Sequence, residues 1–203
     1  MYRMVHCRNV SATAEITEPR DRLLAAAVDH ILEHGLGDLS LRELATAIGT
    51  SHRMLIYHFG SKEELIVAVI QTVEAMQRST YAELETELLS PAETMRAMWK
   101  RFTDPSLGPL ERLFFEIYGQ ALQGRPGAVG LLDGIIDNWI EPAAQYAIAR
   151  GAVPAVARTE ARLSVAVIRG LLLDWLATGD RDGVNAAFER FVALAVPDPE
   201  GHA

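Results

Sequence analysis

LRELATAIGTSHRMLIYHFGSKEEL, residues 41–65, reads as two short helices joined at Gly49 and running into a third. Leu41, Leu44, Ala45 and Ile48 recur at three- and four-residue intervals, one apolar side of a short helix, and small Ala45 leaves room for a second helix to cross it. Ser40 with Glu43 three positions on is the pattern in which a hydroxyl and a carboxylate each satisfy a free backbone N–H at a helix start. Gly49 supplies a left-handed backbone at no steric cost and turns the chain. Ser51 starts the next helix as its cap, and Leu55 and Phe59, four apart, face inward. His52, Arg53, Met54, Tyr57 and His58 are left pointing outward. Helix, glycine turn, helix is the arrangement that lays its second helix in the major groove of DNA.

Charge supports that reading. The chain of 203 residues has a formal net charge of -8, yet no carboxylate occurs from Leu44 through Lys62. Residues 1–62 hold seven basic and seven acidic side chains, so the whole excess of negative charge lies beyond them. Five of the six histidines also fall in the first part, which suggests two jobs on one chain. A surface pressed against phosphates spaced about 1.7 Å apart along a duplex must exclude acid groups, while Arg, Lys, Tyr and Ser donate to phosphate oxygens.

Helical periodicity continues on both sides of this stretch. Leu24, Ala27, Val28, Ile31 and Leu32 form the stripe of an amphipathic helix that Gly35 stops. After Ser61, with Glu64 as its capping partner, a helix from Lys62 to about Thr86 carries Leu65, Val69, Val73 and Met76 on one side. Further helices are expected from Pro91 to near Pro105, over Leu110–Gln123, Val129–Arg150, Pro154–Thr178 and Arg181–Val196, with glycine-rich breaks between the later ones. In the helix from Pro154, Leu163, Val167, Gly170 and Leu171 lie on one face and Val165, Ile168, Leu172 and Trp175 on another, so it must be covered on more than one side. With Val184, Phe188 and Phe191 of the last helix, the first of those faces either forms a four-helix seam with a second copy or completes the core of one chain.

These pieces carry a resemblance. The apolar first helix ending at Gly35, LSLRELATAIG at 39–49 and SHRMLIYHFGSKEEL at 51–65 resemble the DNA-binding domain of the TetR family of bacterial regulators. The resemblance implies an all-α protein with a three-helix DNA-binding head and a larger C-terminal helical domain for effector binding and dimerisation. Its parts would be a tail over 1–16, the head over 17–78 and the second domain over 79–203. Carried onto this chain, it implies DNA contacts from Ser40 and Arg42, then His52, Arg53, Met54, Tyr57 and His58, with Lys62 on phosphate at the next helix start. Arg53 is the expected base reader, because its fork matches guanine O6 and N7. One position departs from the family pattern: Ile56 stands where a tyrosine is usual, and Tyr57 follows it. The family also implies a homodimer on an inverted-repeat operator in double-stranded DNA, released by a small apolar effector, with repression as the default.

The effector's walls are expected among Trp99, Phe102, Phe114, Phe115, Tyr118, Trp139, Tyr146 and Trp175, because apolar pockets favour aromatic walls with few polar groups. Arg169 and Asp174 read either as polar anchors there or as a surface pair. Two rival functions compete with this one. A helical small-molecule carrier accounts for the second domain but not for the carboxylate-free helix. A zinc hydrolase is suggested by His30, Glu33 and His34 in an H-x-x-E-H pattern, but Ile31 and Leu32 between them belong to the core stripe and no third ligand is evident. No catalytic residue, metal or cofactor is therefore expected. The lone Cys7, apolar runs far shorter than the roughly 20 residues that span a bilayer, and the lack of a charged-then-apolar leader lead to the expectation of a cytoplasmic protein without a membrane partner.

Overall fold

The computed structural model describes residues 18–34, 40–86, with side chains as far as 82, and 90–196. The tail expected over 1–16, the stop at Gly35 and Leu39 lie outside the described residues. Among the described residues the regular structure is helical throughout, with no strand. The helices are α1 (Pro19–His34), α2 (Leu41–Ala47), α3 (His52–Phe59), α4 (Lys62–Thr86), α5 (Pro91–Phe102), α6 (Gly108–Leu122), α7 (Asp137–Ala149), α8 (Pro154–Thr178) and α9 (Arg181–Ala195). None is long and apolar enough to cross a membrane.

Ala27, Val28 and Ile31 of α1 meet Leu41, Leu44 and Ala45 of α2 and Leu55 and Phe59 of α3, all buried. The Arg20 guanidinium closes over the Phe59 ring at 5.1 Å. This core does not end with the third helix. It runs through Leu65, Val69 and Val73 of α4 into Leu113, Phe114 and Ile117 of α6. A border at residue 78 falls inside α4, which is continuous over Lys62–Thr86. Two smaller cores complete the body, one of Met98, Trp99, Phe102, Leu172, Val184 and Phe188, the other where Ile140 and Ala144 of α7 lie against Ala157 and Ala161 of α8.

Three element boundaries differ from the periodicity reading. The single helix expected over Val129–Arg150 is a 3-10 turn at Val129–Leu132 followed by α7, because Asp133 is extended and Gly134 takes φ 71, a left-handed conformation that ends any α-helix. The helix begun at Pro91 stops at Phe102, and Asp104 then caps a 3-10 turn over Pro105–Leu107. That turn lets α6 begin at Gly108. Ser90 also forms a full capping box with Glu93, a box the sequence carries in the same S-x-x-E spacing as Ser40 and Glu43.

The face proposed for a second copy is divided. Val184 and Phe188 are buried within the chain, where Phe188 stacks on Trp99 at 4.6 Å, so neither is available to a partner. Val167, Leu171 and Phe191 are half-buried, and Leu163 and Gly170 are exposed.

Candidate functional site

The turn between α2 and α3 is built from its backbone upward. Ser40 Oγ accepts from the Glu43 N–H at 3.3 Å and Glu43 Oε2 accepts from the Ser40 N–H at 2.8 Å, so both orphan donors at the α2 start are satisfied. These bonds hold the Glu43 carboxyl below its ordinary value, and the nearby Lys62 ammonium adds to the effect. At the far end Gly49 adopts φ 71, and the Thr50 N–H reaches back to the Ala45 carbonyl at 2.8 Å. Ser51 Oγ then accepts from the Met54 N–H at 3.2 Å and starts α3. Gly60 ends α3 at φ 84, and Ser61 Oγ accepts from the Glu64 N–H at 3.1 Å to start α4.

With Leu55 and Phe59 locked inward, α3 presents a continuous outer face. Tyr57 is 78% exposed and Met54 and Ile56 are each 39% exposed. His52 and Arg53 stand exposed beside them, as do Ser40 and Arg42 at the start of α2. Neither Arg42 nor Arg53 forms an ion pair among the described residues, so their donors are free to meet an external anion. His58 is half-buried, its ring set edge-on to Tyr57 at 4.9 Å, and its Nε2 has no partner among the described residues. Lys62 is half-buried at the α4 start. Of the eight residues expected to contact DNA, His52, Arg53, Met54 and Tyr57 stand on the exposed face of α3 with Ile56, Ser40 and Arg42 are exposed at the α2 start, and His58 and Lys62 are half-buried.

In the body, α4, α5, α7, α8 and the end of α9 line a cavity of about 250 Å³. A narrower arm of about 60 Å³ runs inward toward α6. The two meet at Phe102, Trp139, Val165 and Ile168, which line both. Of the expected aromatic walls, Phe102, Phe114, Phe115, Trp139 and Tyr146 line this space. Tyr118 does not. It lies behind Phe114, ring on ring at 5.5 Å. Trp99 is fixed by its stack on Phe188 and by Nε1 donating to Asn185 at 2.8 Å, and it faces only a shallow polar groove. Trp175 is on neither wall; Arg181 covers its ring at 5.5 Å.

The inner arm is polar in a way periodicity did not anticipate. Glu74 and Gln77 of α4, Glu111 of α6 and Arg169 of α8 converge there. Trp139 Nε1 donates to Glu74 Oε2 at 2.9 Å, and the same carboxylate lies 3.5 Å from Arg78 and 3.7 Å from Arg169. Arg169 Nη2 donates to the Ile135 carbonyl at 2.7 Å, and its guanidinium sits over the Phe114 ring at 5.3 Å. Burial pushes the Glu74 carboxyl up despite these partners. Glu111, 7% exposed, is pushed up to about 7, first by burial and then by the neighbouring Glu74 charge, with Gln77 and Arg169 opposing. Arg169 thus lies inside the cavity, whereas Asp174 is an exposed side chain bonded to Thr178.

The zinc constellation does not assemble. His30 and His34 stack on each other at 4.6 Å, His34 Nδ1 lies 3.2 Å from the His30 carbonyl, and among the described residues no third ligand joins them.

Comparison with known proteins gives a consistent likeness. The profile described as bacterial regulatory proteins, tetR family, matches residues 23–69. A curated relative, the HTH-type transcriptional repressor NicS of Pseudomonas putida, is 30% identical over 79 residues, 39% of this chain. The match spans 37% of the length of that relative. Among solved structures, a transcriptional regulator from Rhodococcus sp. Rha1 aligns over 88% of this chain and 96% of its own, with a TM-score of 0.68 at 21% identity. A TetR transcriptional regulator from Legionella pneumophila aligns over 89% and 98%, with a TM-score of 0.61 at 20% identity. At these identities the two structures speak for the fold.

Proposed function

We propose that this chain is a DNA-binding transcriptional repressor of the TetR family, whose profile matches residues 23–69, and that it works as a homodimer and leaves its operator when a small molecule fills the body cavity. The observation that carries the reading is the exposed, carboxylate-free face of α3, set at the turn angle that Gly49 fixes. Such a helix inserts into the major groove, with Arg53 reading a guanine edge and Tyr57, His52 and Arg42 meeting phosphates. Lys62 adds a phosphate contact where free N–H groups of the α4 start also favour an anion. Repression is supported by the relative NicS, a repressor by description.

Release follows from where α4 runs. Its first turn carries Lys62 beside the DNA-binding face, and Glu74 and Gln77, on the same helix, form a wall of the cavity's inner arm. A ligand that binds one placement of α4 better than another shifts the placement of the head with it. In a dimer the two α3 helices must sit about 34 to 36 Å apart to enter successive major grooves, so a change in that spacing weakens binding to both half-sites at once.

Selection of bound fragments from random duplex DNA tests this directly. The winners should share an inverted repeat with half-sites about one helical turn apart, and binding should weaken steeply with salt. Absence of any enriched sequence, or a concentration-independent monomer in sedimentation, would reject the reading.

A further inference from the structure

We infer that the body cavity is built for a largely apolar ligand bearing a carboxylate, with the carboxylate bonded to Arg169 Nη1 in the inner arm and the apolar body lying against Phe102, Phe115 and Trp139. This rests on the reading of the cavity as the effector site and names the class of effector. The warrant is the pattern of polar groups that the chain leaves without a partner. Among the described residues five buried side-chain atoms lack a hydrogen-bond partner, and three of them belong to residues lining the cavity: Arg169 Nη1, Thr94 Oγ1 and Tyr146 Oη. Thr94 is only 2% exposed. Natural proteins seldom leave buried donors unmatched, and those that do commonly mark a site.

The sign of the ligand charge follows from what is already matched. Glu74 takes the Trp139 N–H and faces two guanidiniums, and Glu111 is bonded by Gln77. The carboxylates in the arm are thus served by donors, whereas Arg169 keeps an N–H with nothing to give it to. The charged groups lining the arm are Glu74 on α4, Glu111 on α6 and Arg169 on α8, and Arg78 backs Glu74 at 3.5 Å from outside the lining. With Glu111 protonated, two guanidinium charges face one carboxylate, a surplus of one positive charge that an anion cancels. A guanidinium holds a carboxylate more tightly than any neutral acceptor, and the low dielectric of the arm strengthens the pair. Thr94 and Tyr146 line the wider chamber.

Protonation distinguishes an anion from a cation. An anion in the arm favours protonated Glu111, so affinity for a carboxylate falls as pH rises through about 7, while affinity for an ammonium rises over the same range. The test titrates the full chain with three matched probes, phenylbutyrate, phenylbutanol and phenylbutylamine, followed by calorimetry at pH 6.5 and 8.5. Phenylbutyrate should bind about tenfold or more tightly than the other two at the lower pH and lose most of that margin at the higher one. Glu111→Gln should keep the preference and abolish its pH dependence, and Arg169→Gln, if thermal melting shows it folded, should abolish the preference. Tighter binding of phenylbutylamine, or equal binding of all three, overturns the anion assignment and leaves the cavity as an effector site. No binding of any probe removes the cavity as the effector site and the proposal with it.

Discussion

Replacing Glu111 by glutamine tests the polar arm without any ligand. Glu111 has its folded value raised from 4.5 to about 7, mainly by burial. The folded chain therefore holds this proton between those values while the unfolded chain releases it, and stability falls as pH rises from about 4.5 to about 7 and changes little beyond. At roughly 1.4 kcal/mol per unit the full effect is about 3 kcal/mol, of which about 1.3 kcal/mol falls between pH 6 and 8. Glutamine keeps the shape and the hydrogen bond to Gln77 but has no proton to lose. The variant should therefore gain on the parent by about 1.3 kcal/mol between pH 6 and pH 8, a shift in relative Tm of roughly 2–5 °C for a chain of this length. Urea unfolding of both proteins at those two pH values, at one fixed protein concentration so that self-association does not shift the midpoints, measures the difference. Taking the difference between the two proteins cancels the growing self-repulsion of a chain that is already acidic. Parallel stability curves for parent and variant would show that Glu111 titrates as an ordinary surface carboxyl, and the account of the arm would fail.

Five other substitutions have expected outcomes. Arg53→Ala should cost about 1–3 kcal/mol of operator affinity and relax the preference at one base pair, whereas Arg42→Ala should weaken binding to every sequence and lower the salt slope by about one, both measured by fluorescence anisotropy across salt concentrations. Ser40→Ala removes the acceptor for the Glu43 N–H and should destabilise the chain by about 1 kcal/mol in urea unfolding; no loss would mean that the cap carries nothing. A β-carbon added at Gly127 would lie 2.8 Å from the Glu63 β-carbon on the first turn of α4, so Gly127→Ala should cost about 1–3 kcal/mol and weaken DNA binding together, by melting and by gel shift. Gly49→Ala forces a left-handed alanine at φ 71 with open space around it, so its cost should be the backbone term alone, about 1 kcal/mol, without a packing penalty in a high-resolution structure of the variant.

The head was legible because its signals are local. Ser40 with Glu43, Gly49 and Ser51 are each decided by their immediate neighbours, so turn and caps could be read in order along the chain. The body was less so, because the same residue type serves different ends. Trp99 and Trp139 look alike in a helical pattern, yet only Trp139, swung into place by the left-handed Gly134, faces the cavity. The second apolar face of α8, through Val165, Ile168 and Leu172, was visible as a face needing cover, and what it covers is the cavity. Gln77 and Glu111 do not stand out in the sequence, because polar residues on helices are usually solvated. Their signal was position. Gln77 continues the inner stripe of Ile66, Ile70 and Val73, and Glu111 is set among buried Leu110, Leu113 and Phe114.

Whether the switch is a hinge or a rigid turn depends on the core that joins head and body. Were the head an independent unit, a ligand could swing it about a flexible point in α4 without disturbing the rest. The buried residues argue otherwise, since α1 of the head packs on α6 as well as on α4, within one continuous buried cluster. Swinging the head alone would open that cluster, and each large apolar side chain uncovered costs about 1.5–3 kcal/mol, more than a ligand with ordinary coupling of about 1–3 kcal/mol supplies. The head must then travel with α4 and α6 as one body. Glu74 lies about 18 Å along α4 from Lys62, so a tilt of about 10° imposed at the arm moves the α4 start by about 3 Å, enough to misplace two α3 helices against fixed grooves. Amide hydrogen exchange separates the alternatives: a rigid turn leaves protection of the α1–α3 amides unchanged when ligand binds, whereas a hinge would raise exchange in the middle of α4 and along the α1–α6 contact.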